Sequence, residues 1–113
     1  MVNYKETLVN KLQSLGLPVY AEPTFTKDTK VPCITYMLRD DSAVANGTTK
    51  GYSRLYFYVK VWSNRISEIE EWSDKVDTLM REAGFTRIST SEDSFDTLLV
   101  KSINYRALAI EKY

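Results

Sequence analysis

The sequence predicts a single α+β domain in which two helices pack on one face of a mostly antiparallel sheet that carries a long β-hairpin arm. Three observations support this fold class. Residues 55–62 alternate strictly between an aliphatic and a largely aromatic set of side chains, which is typical of a strand. Apolar residues recur at helical spacing near the start of the chain and again in its middle. The predicted order of elements, α-β-β-β-α-β-β, does not alternate regularly between helix and strand, which favours the α+β class. The chain has 113 residues, which corresponds to one domain, 1–113.

Two amphipathic helices are predicted, over residues 3–15 and 65–83. In each, apolar side chains three or four positions apart share one face, and a glycine follows the last turn. These side chains are Tyr4, Leu8, Leu12 and Leu15 in the first helix, and Ile66, Ile69, Trp72, Val76, Leu79, Met80 and Ala83 in the second. Ser63 or Asn64 is expected to cap the start of the second helix.

The hairpin in the middle of the chain is predicted from strands Pro32–Arg39 and Tyr52–Trp62, joined by a polar arm, Asp40–Gly51. Connections of this length are uncommon in compact domains. We therefore expect the arm to protrude and to be mobile, with the strands extending partway into it. In the second strand an aliphatic set faces the helices and an aromatic set faces the other way, as a row exposed to solvent. The aliphatic set is Leu55, Phe57, Val59 and Val61; the aromatic set is Tyr56, Tyr58 and Trp62.

The remaining strands are shorter or less regular. Val19–Glu22 is predicted as a short extended piece, Phe85–Ser89 as a short strand and Ser91–Ser94 as an acidic turn. The last strand is predicted from Phe95 to about Ile110, but its apolar residues change parity partway. Either a β-bulge near 101–102 shifts the register, or both faces of this strand are covered.

Composition narrows the classes of function. Fifteen basic and fifteen acidic residues give a net charge of zero, which argues against a dedicated nucleic-acid-binding protein. Residues 1–63 carry eight bases against five acids, whereas residues 64–84 carry three against six. Such asymmetry favours front-to-back docking of identical subunits, although a solvated acidic helix face explains it too. We expect no signal peptide and no membrane span, and hence a cytoplasmic site of synthesis.

Catalytic chemistry has little support in the sequence. There is no histidine and one cysteine, Cys33, which we expect to be a buried thiol. The paired carboxylates Asp40-Asp41 and Glu92-Asp93 lie in polar stretches where acids are usually just solvated. The four glycines are isolated and form no phosphate-binding loop. The prediction is a protein that is not an enzyme and has no catalytic residues, metal or cofactor.

Several segments together resemble one known family. They are Val19-Tyr20-Ala21-Glu22-Pro23, Val31-Pro32-Cys33-Ile34-Thr35-Tyr36, the strand ending Val59-Lys60-Val61-Trp62-Ser63, the acid-rich helix after it, and Ala83-Gly84-Phe85. In this order they resemble the tail-completion, or tail-terminator, proteins of long-tailed phages and prophages. The resemblance covers nearly the whole chain and is one of pattern, since no catalytic motif exists to anchor it.

The resemblance implies a structural protein of virion assembly. Its subunits would form a ring, a hexamer, that caps the head-proximal end of the tail tube, stops tube polymerisation and presents a head–tail joining surface. The partners implied are other copies of the chain, the tail-tube protein and the head connector or stopper protein; DNA only passes through, and no membrane is involved. The implied location is the host cytoplasm during assembly and then the head–tail junction of the virion.

The residues predicted to form oligomer or partner contacts belong to the aromatic row and the arm. They are Tyr56, Tyr58, Trp62, Asp40, Asp41, Asn46, Lys50 and Arg54. Two alternatives stay open. One is a head-side connector or stopper that binds the portal complex. The other is a small cytoplasmic module for peptide or nucleic acid, since Lys50, Arg54 and Lys60 lie among tyrosines.

Overall fold

A computed structural model describes residues 4–22, 26, 29–45, 51–95 and 97–110, and its elements confirm the α+β class and the predicted order. The helices are α1 (Tyr4–Gln13) and α2 (Ile66–Glu82). The strands are β1 (Val19–Ala21), β2 (Cys33–Ala45), β3 (Gly51–Ser63), β4 (Thr86–Phe95) and β5 (Leu98–Ile110).

The five strands form one mixed sheet in the order β1-β2-β3-β5-β4. β1 runs parallel to β2, and the other neighbours are antiparallel. The central pair, β3 and β5, keeps one register from Tyr52 opposite Ile110 to Ser63 opposite Leu99. The alternative of a bulge near 101–102 is therefore wrong, and the register shifts lie instead in β2 at Arg39 and in β4 at Ile88.

Both helices cover the same face of the sheet, as predicted. The aliphatic side chains of β3 pack with α1, α2 and the matching face of β5, and Leu55 and Trp72 pack against the edge of this core. Its buried members are Leu8, Leu12, Ile34, Phe57, Val59, Val61, Ile69, Val76, Met80, Phe85, Ile103, Tyr105 and Ala107. On the other face, Val100 belongs to a second, smaller cluster. The parity change in β5 thus reflects cover on both faces.

Local backbone chemistry fixes both ends of α2. The N-cap residue is Arg65, not Ser63 or Asn64. Ser63 lies two residues before the N-cap and contacts the start of the helix from there. Its hydroxyl accepts a hydrogen bond from the Arg65 N–H at 3.1 Å and donates one to Glu68. At the other end Gly84 has φ +94°, and the N–H groups of Gly84 and Phe85 donate to the Arg81 and Met80 carbonyls. This is a Schellman motif, and it directs Phe85 into the core.

The predicted acidic turn at Ser91–Ser94 is wrong, because these residues continue β4, which runs to Phe95. β4 is the last strand of the sheet, and all ten of its residues are exposed. An edge strand with no buried face needs no apolar alternation, so its polar sequence looked like a turn.

The arm is a three-stranded extension of the sheet and not a polar loop. β2 and β3 stay paired out to Ala45 opposite Gly51, and β5 runs alongside as far as Ile110. Residues 40–45 alone add about 20 Å of strand. Arg39 forms the bulge where β2 enters the arm, and bulges increase local twist. The molecule measures 52 × 23 × 22 Å.

Candidate interaction surface

The face of the sheet opposite the helices, called the open face below, carries the aromatic set of β3. Because directly opposed residues of paired strands share a face, the register identifies its other members. They are Cys33, Thr35 and Met37 from β2, Tyr56, Tyr58, Lys60 and Trp62 from β3, and Val100, Ser102, Asn104 and Arg106 from β5. No helix among the described residues covers this side.

Trp62 lies on the open face but is not exposed, which corrects the expected solvent-facing row of three aromatics. Its side chain is 8% exposed and packs with Cys33 and Val100. Its indole N–H donates to Thr35 Oγ1 at 2.9 Å, so the buried polar group is paired. The small cluster exists because both cross-strand neighbours of Trp62 are apolar. Within a single chain, Trp62 therefore stabilises the fold.

Tyr58 lies in the middle of the open face and is half-buried. The Arg39 guanidinium is 5.5 Å from its ring centroid, and Lys60 Nζ is 5.7 Å from the same point. Lys60 also forms an ion pair with Glu22, beyond the end of β1. Two cations next to one aromatic ring produce a surface that is apolar and positively charged together. Tyr56, also half-buried, continues it toward the arm.

The two sides of the sheet differ in charge. Among residues whose side chains the structure describes, the open face carries Arg39, Lys60 and Arg106 against Glu22 and Asp93. α2, on the opposite side, carries six acidic residues and two basic ones. The described open face thus has a small positive excess and α2 a larger negative one.

One buried acceptor on the open face has no hydrogen-bond partner among the described residues. It is Asn104 Oδ1, on the residue directly opposite Tyr58. The amide nitrogen of Asn104 donates to Ser89 Oγ at 2.7 Å, which holds the side chain in place. A buried acceptor without a donor costs free energy, about 1–3 kcal/mol.

The predicted contact residues of the arm are placed only in part. Asp40 lies opposite Tyr56, Asp41 opposite Leu55, and Arg54 opposite Ser42, all within the paired part of the arm. Their side chains lie outside the described set, and Asn46 and Lys50 lie outside the described residues altogether. Sequence reasoning missed Arg39 and Asn104. Arg39 was missed because it is the extra residue of a β-bulge, where the alternation between faces breaks down. Asn104 could have been found from the sequence, because it has the same parity in β5 as the apolar Val100.

The described residues bear on two kinds of chemistry, metal binding and thiol reactivity. Three or more His, Cys, Asp or Glu side chains are nowhere grouped there in a way that could hold a metal ion. Cys33 is buried, and burial raises the pKa of its thiol to about 11, which keeps it protonated near neutral pH. No described helix is long and apolar enough to span a membrane.

Compared with known proteins, the chain matches no family model and shows no significant similarity to a curated protein. Fold and surface therefore define its class. It is a small α+β protein with one helix-covered and one open sheet face, extended by a three-stranded arm.

Proposed function

We propose that the protein is a phage tail-assembly protein that caps the head-proximal end of the tail tube as a ring. In this role it stops tube polymerisation and forms the surface that joins tail to head. The observation that carries the proposal is the open face, with its half-buried tyrosines, which continues directly into the projecting arm. The whole-chain resemblance to tail-terminator proteins adds the biological setting.

The composition of the open face favours burial against another protein. Tyrosine and arginine are enriched in protein interfaces because they combine apolar area with polar groups. Tyr58 next to Arg39 has this character. The unpartnered Asn104 oxygen supplies an acceptor at the same place. Each feature costs stability or solubility in a lone subunit and is compensated on association.

The difference between the two sides supports front-to-back contacts between subunits. A positively charged open face and a negatively charged α2 are complementary between neighbouring copies, front to back. Contacts between different patches of identical subunits close into a ring when the rotation between subunits allows it. A hexamer is the ring size that the resemblance implies. The arm then reaches the neighbouring subunit, the tube or the head connector.

Native mass spectrometry of the purified protein tests the proposal, alone and mixed with a tail-tube protein or a portal complex. We expect a ring-sized oligomer, at least when tube protein is present. Binding to the portal complex alone would favour the head-side connector. A strict monomer that binds neither, but shifts mixed-sequence DNA in a salt-dependent way, would favour the nucleic-acid module instead.

A further inference from the structure

A groove lies between the first turn of α2 and the C-terminal half of β4, away from the central tyrosines of the open face. Its volume is about 370 Å³. Four aliphatic residues line it together with four polar or acidic ones, which are called its rim below. The lining residues are Ile66, Ile69, Leu99 and Val100, together with Glu70, Glu92, Asp93 and Ser94.

Ile66 is the least covered large apolar residue of the described chain. Its spacing places it on the buried stripe of α2, three residues before Ile69, yet 68% of its surface is exposed, whereas Ile69 is 5% exposed. Apolar surface that follows a core pattern but stays uncovered beside a concavity indicates a missing apolar contact.

β4 forms one wall of this groove and also presents a free edge. It is the outermost strand, all ten of its residues are exposed, and no described strand lies beyond it. Alternate N–H and C=O groups of such a strand point outward and can pair with an added strand. At the other edge, β1 is only three residues long. The groove and the free edge together offer backbone pairing and an apolar side-chain pocket.

The rim of the groove is negatively charged. Glu92 is near a cation, with Lys101 Nζ 3.8 Å from its Oε1. Within the described residues, neither Glu70 nor Asp93 forms an ion pair. Glu70 lies on the helix side of the sheet and Asp93 on the open-face side of β4. A segment in which Lys or Arg alternates with aliphatic side chains can therefore place a base near Asp93 while an aliphatic side chain faces the groove.

We propose that β4 accepts an added strand from a partner protein, in which aliphatic side chains alternate with Lys or Arg. One aliphatic side chain enters the groove over Ile66 and Ile69. The basic side chains, on the other face of the added strand, pair with Asp93, and Glu70 adds to the negative charge nearby. This site goes beyond the proposed function and does not depend on it, since it uses neither Tyr58 nor the arm.

A synthetic peptide tests the site directly. The probe is acetyl-Lys-Val-Lys-Leu-Lys-Val-Lys-amide, and its counterpart has Glu at every Lys position. With isotope-labelled full-length protein, we expect amide shift changes in Thr86–Phe95 and in the first turns of α2. The Glu peptide should bind at least about tenfold more weakly, because its charges repel the rim.

Variants then assign the two parts of the site. The double variant E70K/D93K should weaken binding of the Lys peptide by about tenfold, and Ile66→Ser should weaken it while leaving the melting temperature nearly unchanged. The matched control D74K/E82K makes the same charge change farther along α2, and Leu38→Ser removes an exposed aliphatic group from β2. Both controls should bind like the wild type.

Several outcomes overturn the proposal. They are absence of binding by either peptide, equal binding of both, shift changes confined to the open face, or E70K/D93K binding like its control. Concentration-dependent changes in the β4 amides without peptide also contradict it, because a second copy of the chain would then occupy this edge.

Discussion

At the scale of single residues, the hydroxyl of Tyr105 connects three elements through one carboxylate. Tyr105 is fully buried in β5, and its O–H donates to Asp77 Oδ1 of α2 at 2.9 Å. Asp77 also pairs with Arg81, in the same helix, and with Arg87 of β4. Burial, followed by the hydrogen bond to Asp77 and its negative charge, raises the pKa of Tyr105. The phenol is therefore held neutral in the core.

Tyr105→Phe should lower the free energy of unfolding by about 1 kcal/mol, because the hydrogen bond is lost while the ring still fills its place. Urea denaturation at pH 7 measures this, with Tyr20→Phe, a partly exposed tyrosine, as the control. Above about pH 10 this tyrosine ionises in the unfolded chain but stays neutral in the folded chain, so the free energy of unfolding of the wild type decreases as pH rises. Tyr105→Phe has no phenol to ionise, so its free energy of unfolding should decrease less. An unchanged alkaline slope in Tyr105→Phe would contradict this.

Cys33 gives a second pH-dependent prediction. Its pKa is raised from 9.0 to about 11 by burial, so the unfolded chain releases the thiol proton at lower pH than the folded chain does. The stability that the neutral thiol contributes to the folded state is therefore fully present below pH 9 and is lost as pH rises toward 11. Denaturation at several pH values should show a shallower decline for Cys33→Ala than for the wild type. Parallel curves would show that the thiol does not titrate in this way.

Tyr58→Asp should block association and leave the fold intact. The site is half-buried, and Arg39 and Lys60, both near the ring, would pair with the new carboxylate, which limits the loss of stability. Tyr58→Phe keeps the ring and should assemble. Light scattering with tube protein reads out association, and circular dichroism verifies the fold. Normal assembly of Tyr58→Asp would remove this residue from the interface.

At the scale of elements, most of the arm lies beyond the helix-covered core. The core residues of β3 begin at Phe57, and the paired strands continue outward beyond it to Gly51. Little of the described core depends on the arm.

Shortening the arm tests this separation. Asp41 and Leu55 are direct partners, so a two-residue Asn-Gly turn between them can replace residues 42–54. We expect a folded protein whose stability changes by about 1 kcal/mol or less, because none of the described core side chains is removed. We also expect it to lose assembly with the tube, as measured by light scattering. An unfolded product would show that the arm is part of the core, and undiminished assembly would show that it is not a contact.

The same elements show what a sequence reveals and what it does not. The sequence predicts β3 and α2 closely because each packs one side against a single large core. Their apolar residues therefore recur with the period of a strand or a helix. β4 was missed in part because an exposed edge strand has no such period. The third strand of the arm and the burial of Trp62 depend on which strands lie next to β3, and one strand's sequence does not encode its neighbours.

The candidate interaction surface is likewise predictable from the sequence only in part. The face on which Tyr56 and Tyr58 lie follows from alternation alone. The flanking cations and the unpartnered Asn104 require the register of β2 and β5, and the groove beside β4 requires the position of α2.

At the scale of the whole molecule, an elongated subunit with differently charged sides is suited to front-to-back assembly. Because the complementary charges lie near the surface, salt should screen them. We expect the oligomer to weaken as ionic strength rises from 0.05 to about 0.5 M, as followed by analytical ultracentrifugation. Assembly that is indifferent to salt would assign the contact to apolar burial alone.

The most direct test of the tail-terminator proposal is the length of tail tubes assembled in its presence. Purified tail-tube protein is allowed to polymerise with and without this protein, and tubes are measured by negative-stain electron microscopy. The proposal predicts shorter tubes that carry a ring at one end only, and no such effect from Tyr58→Asp. Tubes of unchanged length without a terminal ring would contradict it.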